Sequence, residues 1–270
     1  MSAFTMPVNW YMTAPVHTIH QACTLNELHH RFIKYRISSL PVVDDEDRLM
    51  GVVSRTDLIR HTFSRRETDP SAPLLTITGQ TVFDIMSPSP ITVRSQDTVA
   101  EAAQRMVTEE IHRVYVAEAG HLVGVLSTRD ILSAVVDLRI TEPIGRYMSR
   151  PLFVVATDEP IGHATAFLET IHVSGVVVLG EAGPLGVYTQ ANALECRSLP
   201  RSTPVNHAMD TEIWTVFEET PLHRVIEEAV KRQVWRIVVV TRPPQQEGES
   251  TRPAEARGLV TPLAILEAIR

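Results

Sequence analysis

One pattern of apolar and polar positions recurs four times along the 270-residue chain. Each occurrence is led by a methionine: Met12 in WYMTAP, Met86 in DIMSPS, Met148 in RYMSRP and Met209 in HAMDTE. Twenty-five residues later a β-branched residue (Ile37, Ile111, Val173 or Val234) opens an apolar run: ISSLPVVD, IHRVYVAE, VSGVVVLG and VWRIVVVT. A glycine then follows in GVVSRTDLI, GVLSTRDIL, GVYTQANAL and GLVTPLAIL: Gly51, Gly124, Gly186 and Gly258, at 39, 38, 38 and 49 residues from the methionine. The longer fourth spacing contains PPQQEGESTRP, whose composition predicts a surface loop. Self-similarity at a fixed period is the signature of a repeat architecture.

Each repeat has the same local grammar. A short extended stretch (VHTI, ITV, FVV or IWTV) follows the methionine, and a polar turn then opens a helix. In repeat 2 the helical segment SQDTVAEAAQRMVTEE places Val99, Ala102, Ala103 and Met106 on one face. Two apolar strands come next, separated by turns such as DDEDR, EAGH and GEAGP, and the second strand runs into a closing helix such as TRDILSAVV. The predicted unit is therefore βαββα. One copy leaves apolar surface uncovered, so the repeats are expected to pair. The fold class is α+β with internal pseudo-symmetry. The expected repeats span about 6–62, 80–137, 142–198 and 203–270, with SRRETDPSAPLLTITGQ as a polar linker and CRSLPRSTP as a short connection. Pairing in chain order gives two modules, 1–138 and 139–270.

Segments such as SSLPVVDDEDRLMGVVSRTDL and HRVYVAEAGHLVGVLSTRDIL resemble the CBS domain, named after cystathionine β-synthase, and the resemblance extends over nearly the whole chain as four copies. It implies pairing of consecutive repeats into two pseudo-twofold Bateman modules. These modules are further expected to form a flat disc, either within one chain or through a homodimer. The implied function is regulatory: such modules bind adenine nucleotides or related adenosyl ligands and act on an attached or partner protein. The repeats and linkers use up these 270 residues, leaving no catalytic domain among them.

The candidate site motif is Gly-x-x-[Ser/Thr]-x-x-[Asp/Asn] at a strand-to-helix junction. Ser54 and Asp57 fill it in repeat 1, Ser127 and Asp130 in repeat 2, and Thr189 and Asn192 in repeat 3, while repeat 4 has Thr261 but Ala264. A helix N-terminus offers free N–H groups and partial positive charge to a phosphate, and the hydroxyl adds a donor. The resemblance assigns the Asp to the ribose hydroxyls. The same spacing also describes a helix cap, which stabilises by about 0.5–2 kcal/mol without any ligand. For Thr261 followed by Pro262, the cap with a first-turn proline is the whole reading.

Basic residues cluster around these motifs. Arg55 follows Ser54, Arg129 precedes Asp130, and His112 and Arg113 start the middle strand of repeat 2, where kinase gamma subunits of the resembled family use His-Arg-like pairs to reach phosphates. The corresponding residues are Ser38 and Ser39 in repeat 1, Ser174 and Gly175 in repeat 3, and Trp235 and Arg236 in repeat 4. Arg113 and Arg236 also fit ordinary surface ion pairs, Arg236 more than Arg113. Thr18 and Thr92 are positioned to hydrogen-bond ribose or phosphate, or to serve as strand formers. With both complete Ser/Asp pairs, module 1 is the expected nucleotide site. Thr189 and Asn192 form the weaker one, since Asn keeps an acceptor but lacks the charge.

Composition narrows the alternatives. With 25 Lys+Arg against 32 Asp+Glu the net charge is −7, which argues against sequence-independent nucleic-acid binding. Cys23 and Cys196 fit a reducing cytoplasm, and neither a secretory leader nor a membrane-length apolar run is expected. Among the 11 histidines only His17/His20 and His29/His30 cluster, and neither has zinc spacing. No nucleophile elbow or Walker lysine motif occurs, so neither a metal site nor enzyme activity is expected. The expectation is a cytoplasmic adenine-nucleotide (AMP, ADP or ATP) sensor, with or without Mg as the companion of the phosphates, acting on an unknown partner protein and capable of homodimerising. The alternatives are a ligand-independent interaction scaffold, or a site for S-adenosylmethionine or a cyclic dinucleotide. Arginines at the phosphate end favour a nucleotide.

Overall fold

In a computed structural model, residues 3–134, 136, 139–181, 183–242 and 255–269 are described. The loop expected at 243–253 lies outside them. Each repeat has the predicted order. Repeat 2 runs through strand Thr92–Val93, helix Val99–Thr108, strands Arg113–Glu118 and His121–Ser127, and helix Thr128–Ala134. The first and second strands of each repeat are parallel, the second and third antiparallel. The antiparallel hairpin puts the start of the middle strand beside the helix that ends the repeat: Arg113 pairs with Ser127, Ser39 with Ser54, and Gly175 with Thr189.

The chain forms two compact units, and neither is a consecutive half. Unit 1 comprises Met1–Val16, Ile91–Leu152 and Ile213–Arg270; unit 2 comprises His17–Pro90 and Phe153–Glu212. Each unit therefore draws on both of the segments 1–138 and 139–270. Shared burial of helix faces explains this grouping. In unit 1 the predicted face Val99, Ala102, Ala103 and Met106 is fully buried in one core with Leu222, Val225 and Ile226 of helix Leu222–Arg232 in repeat 4. In unit 2, Leu25, Leu28 and Phe32 of repeat 1 share a core with Ile161, Ala164 and Leu168 of repeat 3. Each fully buried Leu, Ile or Val contributes about 1.5–3 kcal/mol, so these faces dominate the assembly of each unit.

The methionine leaders also depart from the expected boundaries. The leader of repeat 1 belongs to unit 1, where Met12 lies on Gly124 of repeat 2 and Thr13 bridges Val125. In the same way Met86 lies on Gly51, Met148 on Gly258 and Met209 on Gly186. Consecutive repeats thus exchange leaders. An added Cβ at Gly258 would stand 2.6 Å from the Met148 Sδ, so the glycine is required by close approach. The segment expected as a polar linker is likewise docked: Leu74 and Leu75 are buried, and their N–H groups donate to the carbonyls of Leu199 (2.9 Å) and Arg197 (3.0 Å). Two adjacent leucines in an otherwise polar stretch account for this docking.

No helix of the described residues is long and apolar enough to cross a membrane.

Candidate functional site

The motif hydroxyls and carboxylates form helix caps. In unit 1 the Ser127 N–H and Oγ–H both donate to Asp130 Oδ2, at 2.7 and 2.6 Å, and the Asp130 N–H returns a 3.4 Å bond to Ser127 Oγ. In unit 2, Ser54 and Asp57 repeat this arrangement at 2.8, 2.6 and 3.2 Å, and Thr189 with Asn192 at 2.9, 2.6 and 3.4 Å. Thr261 accepts the Ala264 N–H at 3.4 Å, the cap expected there. The caps of repeats 1, 2 and 3 each engage one carboxylate or amide oxygen of the partner.

A second bond recurs at these helix starts. The first helical N–H donates to the carbonyl at the start of the middle strand: Thr128 to His112 (3.0 Å), Arg55 to Ser38 (3.0 Å) and Gln190 to Ser174 (3.3 Å). Hence two of the first three N–H groups, and the capping hydroxyl's proton, are already engaged. The phosphate donors expected from the bare helix N-terminus are largely used within the protein, and side chains around it must supply the rest.

In unit 1, basic side chains surround this helix start. Arg129 lies over the Trp235 ring, its guanidinium carbon 5.7 Å from the centroid. Arg236 and Arg113 both act on Arg129, and Arg113, Arg236 and Arg129 all act on His112. The middle-strand starts of repeats 2 and 4, residues 112–113 and 235–236, therefore converge on the helix start of repeat 2. Arg129 and His112 keep exposed surface, yet the protein crowded around them strips much of their hydration.

The electrostatics follow from that placement. Burial first, then the Arg236 and Arg113 charges, lower the Arg129 pKa to about 10, with Asp130 opposing. His112 is lowered by burial, then by Arg113, Arg236 and Arg129. Positive charge held together against its own repulsion is a feature of anion sites.

The predicted residues therefore divide. Ser127, Arg129, Asp130, His112, Arg113 and Thr92 lie in unit 1, while Ser54, Arg55, Asp57, Thr18, Thr189 and Asn192 lie in unit 2. The two complete Ser/Asp pairs expected to mark a single module fall in separate units. Arg55 heads helix Arg55–Thr62 with its Nε buried, and its neighbour Thr56 donates to Gln190 of repeat 3 at 3.1 Å. Thr18 precedes strand Ile19–His20 by one residue; its carbonyl accepts from Arg31 at 2.5 Å, as that of Thr92 accepts from Arg105 at 2.6 Å. Nothing in the sequence indicates which helix start Trp235 and Arg236 of repeat 4 face. The histidines have structural roles as well: His29 bonds the Leu194 carbonyl (2.8 Å) and His17 stacks on Tyr35 (4.0 Å). Among the described residues no three potential ligands gather into a metal site.

Comparison with known proteins gives consistent findings. The CBS domain profile matches residues 9–63, 82–137 and 144–198. The fourth repeat lies outside these matches but has the same order of elements. An L-aspartate semialdehyde sulfurtransferase from Methanocaldococcus jannaschii is 32% identical over 121 residues, which cover 44% of this chain and 23% of that protein. The 5′-AMP-activated protein kinase subunit gamma-3 of Sus scrofa is 32% identical over 110 residues, 39% of this chain and 20% of that one. An uncharacterised 33.4 kDa protein of Thermofilum pendens is 24% identical over 212 residues, 74% of this chain and 66% of its own. The chain thus spans less than two thirds of the length of each of these relatives. The crystal structure of protein MJ1225 from Methanocaldococcus jannaschii superimposes with a TM-score of 0.79 at 17% identity, covering 98% of this chain and 100% of that one, and so shares its fold.

Proposed function

The chain belongs to the CBS-domain family, and from that premise we propose that it is a regulatory module that binds an adenine nucleotide in unit 1 and passes the signal to a partner protein. The observation that carries this reading is the convergence of Arg113, Arg129, Arg236 and His112 on the helix start of repeat 2. A guanidinium matches two phosphate oxygens at once, and three of them suit phosphate better than the uncharged tail of S-adenosylmethionine. Asp130, next to Arg129, takes the ribose hydroxyls through the carboxylate oxygen outside its cap. Likeness to a segment of a kinase gamma subunit supports the ligand class. The sulfurtransferase relative matches over 23% of its length, and in this reading its activity stays with that protein.

Further parts of the proposal are that the chain is not an enzyme, works in the cytoplasm, pairs consecutive repeats as Bateman modules and takes neither nucleic acid nor membrane as partner. Unit 2, with serines where unit 1 has His112, is the weaker or structural half. Calorimetric titration of AMP, ADP, ATP (with and without Mg) and S-adenosylmethionine tests the reading in wild type, Asp130→Ala and Asp57→Ala. Binding lost in Asp130→Ala and kept in Asp57→Ala is expected. The reverse moves the site to unit 2, and no binding by folded wild type leaves the ligand-independent scaffold.

A further inference from the structure

One member of the unit 1 cluster has a charge that is not fixed. Arginine stays cationic across the physiological range, whereas histidine titrates within it. His112 is faced by Arg113 from its own strand, by Arg129 from the helix Thr128–Ala134, and by Arg236 from the middle-strand start of repeat 4. Asp130 adjoins Arg129 on that helix. The Thr128 N–H, 3.0 Å from the His112 carbonyl, fixes the residue at the helix start.

We propose that docking of a nucleotide phosphate in unit 1 is coupled to uptake of a proton by His112, so that the site reads acidification together with nucleotide. The inference rests on the nucleotide reading above and adds a regulatory input to it. In the free protein burial, then the Arg113, Arg236 and Arg129 charges, hold the imidazole below the ordinary histidine value. A phosphate lodged among the same side chains reverses the balance. Its negative charge offsets the arginines, and its oxygens accept from a protonated ring. The histidine pKa is then higher in the complex than in the free protein. Between the two values affinity rises as pH falls, by up to about tenfold per pH unit, and above the higher value His112 contributes no pH dependence. The equivalent residues Ser38, Ser174 and Trp235 do not titrate, so this coupling belongs to unit 1 alone.

The test is calorimetric titration of ATP and of AMP between pH 8 and pH 6, each in two buffers of different ionisation enthalpy, which counts the protons taken up. The terminal phosphate of the ligand itself titrates near about pH 6 in the opposing sense, and His112→Gln isolates that contribution. Wild type is expected to take up more protons than His112→Gln, by up to one per site, with affinity rising relative to the variant as pH falls. Equal proton uptake in the two proteins, with binding retained, overturns the coupling and leaves the nucleotide reading standing. Failure of wild type to bind either nucleotide overturns that reading, and the coupling with it. Should His112→Gln not bind, the imidazole resonance of His112 in wild type decides: its titration midpoint must move up on adding ATP, and an unmoved midpoint refutes the inference.

Discussion

Gly258→Ala tests the exchange of methionine leaders. The new Cβ would stand 2.6 Å from Met148 Sδ, 2.7 Å from Cγ and 2.8 Å from Cβ. Rotation of the thioether relieves only the first two contacts; the third, so close to the main chain, forces the leader itself to move. Overpacking of this kind costs about 1–3 kcal/mol. Against that, alanine in a strand regains roughly 0.5–1 kcal/mol relative to glycine, so a net loss near 1–2 kcal/mol is expected. At Gly124 the nearest atoms are the Met12 Sδ, Cγ and Cε, a flexible side-chain end, so Gly124→Ala costs less. Gly79 has nothing within 4 Å and serves as the neutral control. Urea denaturation followed by circular dichroism measures each variant, with a lowered midpoint at constant slope as the sign of lost stability. The decisive arm is the double variant Met148→Ala/Gly258→Ala. Met148→Ala removes the Sδ and Cγ contacts and keeps only the Cβ one, so the two changes must be non-additive, the glycine substitution costing less in the Met148→Ala background. A cost for Gly258→Ala that is the same in both backgrounds, or no cost at all, would refute the packing argument.

Other consequences follow from single contacts. Tyr188 is fully buried and its hydroxyl meets Thr165 Oγ1 at 2.9 Å; Thr165→Val leaves a buried phenol unsatisfied and costs about 1–3 kcal/mol, whereas Thr165→Val/Tyr188→Phe is nearly neutral, as denaturant midpoints will show. Thr98→Ala removes the cap of helix Val99–Thr108 at about 0.5–2 kcal/mol, measured the same way. Hydrogen bonds from the Thr98 backbone and side chain hold Glu101 below its ordinary value, so its contribution is present above that value and is lost as pH falls through the folded one; acid titration of stability in Glu101→Gln must lose that step. Burial, then the Arg236 and Arg113 charges, lower the folded Arg129 pKa to about 10, so its charge opposes folding. Arg129→Gln is therefore expected to keep or raise the melting temperature, and a clear fall would contradict the crowding argument.

Much of this was legible in the sequence because it is local. The 3.6-residue spacing of Val99, Ala102, Ala103 and Met106 identified a buried helix face, and the Ser-x-x-Asp spacing identified the caps, since both depend on neighbours within a few residues. Partner choice between repeats was not legible. A spacing of 38 residues from Met86 to Gly124 says that both recur, but not that Met86 sits on Gly51 and Met12 on Gly124. The apolar face of helix Val99–Thr108 fits any similar face, and only the assembled core shows that helix Leu222–Arg232 covers it. The place of Arg236 is not legible for the same reason, since its charge acts on Arg129, a residue of another repeat.

The central claim is that the arginine cluster of unit 1 is an anion site for an adenine nucleotide. Calorimetric titration of ATP into wild type and into folded Arg129→Gln tests it most directly. Charge-assisted hydrogen bonds contribute about 1.5–3 kcal/mol, so the variant should bind roughly 10- to 100-fold more weakly while melting no lower than wild type. Equal affinity in the two proteins would contradict the claim.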